Sequence, residues 1–272
     1  MEVLEDLTTR ILRLRSTVNA KYFCGDYSHS VTICLVDLIE NYGVILMRVG
    51  KSHLLLSLLE FLLLCMSKSD RETSEQCFPA WVGVLQVMNA AVEEGVDGLQ
   101  FSPILYQLAC TIRDSCIVDS RLLDGSFELD VELVDFRVHA KECLLEVYSL
   151  IEQDLLRYYV NLLDKDIKNG NDWKEIEADL FCILAISDTA ACMRSSDNLI
   201  GMTFALSDNF PNHIIVHKLV LNMIRDYSEV MGRRPKLISG CLNTLRRCSK
   251  EQPLLHPAGI IQGNILQCKI IA

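Results

Sequence analysis

Residues 54–66 read Leu54-Leu-Leu-Ser-Leu-Leu-Glu60-Phe-Leu-Leu-Leu-Cys65-Met66. The run is apolar enough to raise the question of a membrane span. It has about half the length that crosses a bilayer, and it carries Glu60. A helix buried over most of its surface fits both facts. Its flanks agree with that reading. Gly50 is placed to cap a preceding helix, Ser52 to start this one, and the stretch 68–71 is polar.

The same helical period repeats outward from this stretch. Toward the N-terminus, Leu4, Leu7, Ile11, Leu14 and Val18 step by three and four, and Leu35, Leu38 and Tyr42 continue the pattern over 31–49. Toward the C-terminus, 72–94 is helical in pattern with Pro79 as a possible disturbance, and Pro103 opens a helix over 103–113 from its first turn. Val134, Val138, Leu144, Leu145 and Tyr148 form the next stripe, followed by Leu155, Tyr159 and Leu162. Asn169-Gly-Asn-Asp172 is a turn. Asp172 is a candidate N-cap with Glu175 three residues on, close to a capping box. Trp173, Ile176, Leu180 and Leu184 share a face, as do Val216, Leu219, Met223, Tyr227 and Val230. Gly232 is expected to stop that helix, and 237–248 holds the last regular one.

About eleven helices in antiparallel pairs give units near 40 residues, the size of HEAT-type repeats. The expectation is therefore an all-α fold, an α-solenoid of HEAT-like helix pairs stacked into a right-handed superhelix. The array should cover 1–249, with an irregular tail over 250–272. Few stretches alternate with period two, and 13 Gly and 6 Pro in 272 residues are too few turn residues for a β-rich chain.

Half of the residues are hydrophobic and 23% are charged, which excludes a disordered chain. The net charge of −10 argues against direct binding of nucleic acid or an anionic membrane and is compatible with basic protein partners. The 12 cysteines contain no C-x-x-C pair, so neither a zinc ribbon nor a redox site is indicated. Several of them, Cys34, Cys65 and Cys182 among them, fall on apolar stripes and are expected to pack as small hydrophobes in a reducing compartment. No signal peptide is legible at Met1, where Glu2, Glu5 and Asp6 follow.

Chemistry is sparse. His213 and His217 are four apart, but Ile214 stands where a zincin has its Glu, so packing histidines are expected and no metal site. There is no Gly-rich phosphate loop and no G-x-S-x-G elbow. Arg246, Arg247 and Lys250 make a basic cluster too small for a nucleic-acid footprint. No catalytic or cofactor-binding residue is expected. The acidic connection over 114–132 supplies the candidate partner-binding residues, Glu128, Asp130 and Glu132.

Several stretches resemble the importin-β superfamily, and within it the importin-13 and transportin-SR branch. Leu54–Met66 followed by Phe78 and Trp81 resembles that branch's leucine-rich helix and its Phe-x-x-Trp helix. Asp135-Phe136-Arg137-Val138 leading to Leu144–Tyr148 resembles its helix after an acidic loop. Trp173, Glu177-Ala178, Leu180-Phe181 and Ala185-Ile186 resemble a further helix, and Thr244–Cys248 resembles a helix end. The resemblance runs over about residues 1–250. Pro79 inside the Phe-x-x-Trp helix and a short 198–212 segment depart from it. On this resemblance, the stretch is expected to correspond to the family's central repeats, without its N-terminal repeats and C-terminal arch.

The resemblance implies a nuclear transport receptor, or part of one, in cytoplasm and nucleus. It would bind protein cargo, phenylalanine-glycine nucleoporins and the small GTPase Ran. A generic HEAT-like scaffold, such as an adaptor or phosphatase-type regulatory subunit, is the runner-up, and a helical enzyme the third reading. Trp81, Phe136, Trp173, Phe181 and Tyr227 are expected to be buried between helices. An array that starts on the stripe Leu4, Leu7, Ile11 and ends on Ile270-Ile271-Ala272 is expected to expose apolar surface and self-associate.

Overall fold

The structure, a computed structural model, describes residues 2–15, 26–95, 101–119 and 129–250. Every regular element among them is helical, so the fold is all-α. The helices divide into two compact units: Met1–Cys116 with Val131–Leu150, and Ile117–Asp130 with Ile151–Ala272.

The first unit begins with α1 (Glu2–Arg13) and α2 (Asp26–Arg48). Gly50 ends α2 in the left-handed region at φ 75°. Its N–H donates to the Met47 carbonyl at 3.2 Å and that of Lys51 to the Leu46 carbonyl at 2.8 Å, the two bonds of a Schellman cap. The leucine run becomes α3 (Ser52–Lys68). Leu55, Leu58, Leu59, Phe61, Leu62, Leu63, Cys65 and Met66 are buried, while Glu60 stays outside and pairs with Arg15 at 2.9 Å. Lys51, rather than Ser52, occupies its N-cap position.

Pro79 does not disturb a helix but helps to start one. The expected 72–94 helix is two: α4 (Arg71–Glu75) and α5 (Phe78–Glu93), with Pro79 in the first turn of α5. There its missing N–H costs nothing. Asp70 caps α4 by accepting from the Thr73 N–H at 2.8 Å. Then comes α6 (Ser102–Ser115), with Pro103 again in the first turn. In this unit α2 packs against its neighbour α3 and against α5, α3 also packs against α6, and α1 packs against α3.

One further helix, α7 (Val131–Asn169), enters the first unit with its N-terminal part. Phe136 meets Phe78 of α5 edge-on at 5.2 Å, and Asn89 of α5 donates to the Glu146 carboxylate at 2.8 Å. The buried face is Leu133, Phe136, Ala140, Cys143, Leu144 and Val147. Val134 and Val138, expected in the packed stripe, are exposed instead. They sit one position after Leu133 and two after Phe136, off that face, because successive helical residues turn by about 100°. Glu152 breaks the helix at φ 40°, ψ −119°. Gly170 closes α7 with a second Schellman cap.

Among the described residues, the helix long and apolar enough to cross a membrane is Tyr27–Arg48, with a mean hydropathy of 1.6, and not the leucine run. In this fold Leu35, Ile39 and Leu46 of that helix are fully buried, while Asp37, Glu40 and Asn41 face outward. Cys34 is exposed, one step off the Leu35 face, which corrects the expectation that it packs inside; Cys65 and Cys182 are buried.

The second unit continues with α8 (Trp173–Ala185), α9 (Ser187–Ala190), α10 (Asp197–Ala205), α11 (Ile214–Asp226), α12 (Ser228–Arg233) and α13 (Ile238–Cys248). Short 3-10 turns lie at Arg194–Ser196, Ser207–Asn209 and Pro235–Leu237. α8 packs against α11, α10 against α13, and α11 also against α13. Asp172 is the N-cap of α8 by backbone position but makes no side-chain cap bond. Of the expected stripe Val216, Met223, Tyr227 and Val230 are buried and Leu219 is half-buried, and the stripe belongs to two helices that meet at Tyr227. Gly232 lies inside α12, and the chain leaves the helix at Arg234, before Pro235. Residue preceding a proline is pushed out of helical space, so Pro235 and not Gly232 sets the end.

Trp81, Phe136 and Tyr227 are fully buried as expected, whereas Trp173 and Phe181 are half-buried. Leu7 and Leu14 of the N-terminal stretch are exposed. The tail 251–272 lies outside the described residues.

Candidate protein-binding surface

The acidic connection leaves from the last turn of α6 and leads to the first turn of α7. Asp114 sits in the last turn of α6 beside Arg113, 3.1 Å away. Arg137, buried on α7, donates to the Cys116 carbonyl at 2.7 Å. A cation placed on the open carbonyls of a helix C-terminus is favoured by both hydrogen bonding and the helix dipole. That bond ties the end of α6 to the start of α7.

Of the three residues singled out in the sequence, Glu128 lies outside the described residues. Asp130 is the N-cap of α7 and half-buried. Its Oδ2 is buried without a hydrogen-bond partner among the described residues, and it makes no side-chain cap bond. Glu132 is exposed in the first turn of α7, where a negative charge suits the helix dipole. Asp130 therefore belongs to the helix start rather than to open surface, and Glu132 is free to meet a partner.

The structure adds residues that sequence reasoning missed. Val131, Val134 and Val138 follow one another at i, i+3 and i+7 and are 71%, 44% and 54% exposed. Asp135 and Glu142, also exposed, lie beside them on α7. The carboxylates of Glu132, Asp135 and Glu142 make no ion pair with any described residue. On the same side of α7, His139 stacks over Phe78 at 6.4 Å and pairs with Glu75 of α4 at 3.2 Å. Glu72, Glu75, Gln76, Pro79 and His139 line a shallow hollow there. The result is a strip of exposed apolar side chains with a carboxylate border. Val134 and Val138 were legible in the sequence as part of a helical stripe; their outward direction, and Val131 beside them, were not.

In the second unit several titratable side chains hold neighbouring elements together. Arg233 forks onto both Asp197 oxygens, with its closest approach 2.7 Å, and also donates to the Ala191 carbonyl at 2.7 Å. Its guanidinium is held above its ordinary value chiefly by the hydrogen bond to Asp197. Arg247 of the small basic cluster donates to the Ser207 and Asp208 carbonyls. His213 caps α11, accepting from the Ile215 N–H at 3.3 Å, and stacks on Trp173 at 3.6 Å. His217 is buried. Among the described residues no three His, Cys, Asp or Glu side chains are grouped to hold a metal ion.

The sequence matches no protein-family model, and no curated protein matches it.

Proposed function

We propose that this chain is a protein-binding scaffold of the helical-repeat type, and that its most specific assignment is a nuclear transport receptor, or part of one, of the importin-13 and transportin-SR kind. One observation carries the scaffold reading. In each unit helices three places apart in chain order pack on each other, α2 on α5 and α3 on α6 in the first, α8 on α11 and α10 on α13 in the second. Packing between helices of successive pairs is how HEAT-type arrays bury a continuous core, and the open helix faces of such arrays are where partners bind. The transport assignment rests on the order of the motifs around Trp81, Phe136, Trp173 and Thr244. The partners under this reading are protein cargo, Ran and phenylalanine-glycine nucleoporins, with no enzymatic step and no cofactor, and the protein works in cytoplasm and nucleus.

The test is capture from cell extract on the immobilised full chain, with and without Ran loaded with GTP. Partners released by Ran-GTP, or Ran itself retained in its GTP form, support transport. Partners held equally in both arms reduce the assignment to an adaptor-type scaffold. Turnover of a small molecule by the purified chain would favour the helical enzyme.

A further inference from the structure

From the surface at the start of α7 we infer a docking site for a basic amphipathic helix of another protein. This rests on the protein-binding reading above but not on transport. Two features of one helix face carry it. Val131, Val134 and Val138 present an exposed apolar strip with the spacing that receives the i, i+3/i+4, i+7 side chains of a second helix. Monomeric surfaces expose scattered apolar residues, but three in register on one helix form a contiguous patch.

The border of the strip selects the occupant. Glu132, Asp135 and Glu142 stand beside the valines with no ion pair to any described residue, and Glu72 and Glu75 continue the negative charge on α4. The nearby Arg71, Arg137 and Lys141 each have partners of their own, and His139 lies 3.2 Å from the Glu75 carboxylate. Unneutralised carboxylates next to apolar surface attract a partner with the opposite pattern, a row of aliphatic residues flanked by Lys and Arg. A second copy of this chain, at a net charge of −10, would bring the wrong sign. A polyanion or an anionic lipid surface is excluded for the same reason.

The experiment titrates a fluorescent peptide of about 18 residues, built from Leu, Ala, Lys and Arg with leucines at i, i+3 and i+7, into the full chain and reads anisotropy. A scrambled peptide of identical composition is the control. The ordered peptide should bind, should weaken as salt rises, and should outcompete the scrambled one. Replacing both Val134→Asp and Val138→Asp should abolish the difference between the two peptides. The triple change Glu132→Gln, Asp135→Asn, Glu142→Gln should weaken the ordered peptide roughly tenfold at low salt and much less at high salt. All five side chains are exposed, and circular dichroism checks that each variant keeps its fold. Equal binding of the two peptides, or binding unchanged in the valine variant, overturns the proposal. So does a dimer that the valine variant converts to monomer, which would assign the strip to a second copy. Peptide binding that appears only after residues 120–128 are deleted would assign it to the chain's own preceding segment. Insensitivity to Ran-GTP in the capture experiment would end the transport reading and leave this site standing.

Discussion

Replacing Tyr227 with Phe removes a single oxygen atom from the interior of the second unit. That hydroxyl donates to the Ile183 carbonyl at 2.6 Å, and the side chain is completely buried. Ile183 lies in the last turn of α8, where helix carbonyls lack an intrahelical donor. Tyr227 thus supplies from the α11–α12 junction what α8 cannot supply itself. Phe fills nearly the same space, so no cavity opens. The loss is the hydrogen bond together with the desolvation penalty of a carbonyl left dry, about 1–3 kcal/mol. Tyr227→Leu adds a cavity and should reach about 3–5 kcal/mol. Urea unfolding followed by circular dichroism reads both, provided the midpoint moves while the slope stays constant. A Phe variant within about 0.5 kcal/mol of the parent would mean that water reaches Ile183, and the reasoning about a dry helix end would be wrong.

Trp173→Ala should cost about 1.5–3 kcal/mol, less than the roughly 3–5 of a fully buried aromatic, because Trp173 is half-buried and its main contact is the stack on His213; His213→Ala should remove part of the same energy, so the double variant should fall short of the sum in denaturant unfolding. Thiol labelling of the native protein should modify Cys34 and Cys192, which are exposed, before Cys65 and Cys241, whose thiols burial pushes up to about 12, or Cys77 and Cys143, pushed up further by the same cause; mass spectrometry after brief alkylation decides the order. Asp70→Ala should cost about 0.5–2 kcal/mol through loss of the α4 cap. The Thr73 N–H holds the Asp70 carboxyl below its usual value, so its stabilisation is complete above the unfolded pKa of about 3.9 and is lost as pH falls through the lower folded value. The variant and parent should therefore converge in stability at strongly acid pH, and a gap that persists there would refute the assignment.

Helix content was legible because apolar residues recur at the helical period throughout, and the all-α class follows from that period. Particular boundaries escaped it for physical reasons. The Val216–Val230 stripe keeps its spacing across Tyr227, so the period carries no sign that the backbone departs from helical angles there. Pro79 was read as a disturbance because a proline inside a helical pattern usually is one; its neighbour Phe78 turned out to be the first residue of a new helix. Trp173 counts as core by residue type, whereas at the first position of α8 it is only half-buried. At the candidate surface, hydrophobicity alone assigned Val134 and Val138 to the packed face. Ala140 and Cys143, less conspicuous in the sequence, hold that face instead. The carboxylates of α4 join those of α7 through the packing of Phe78 on Phe136, a pairing 58 residues apart that no local pattern announces.

The backbone at Glu152 has a kinetic meaning. A non-glycine residue at φ 40° interrupts the ladder along which a helix elongates, so winding started on one side cannot run through to the other. The 39-residue helix therefore behaves as two cooperative segments, each needing its own nucleus and its own tertiary partners. The tertiary partner of the first segment is α5, through the contact of Phe136 with Phe78. Amide exchange along α7 should fall into two blocks with separate opening free energies, and a ligand that clamps residues 131–151 should slow exchange in the first block while leaving the second unchanged.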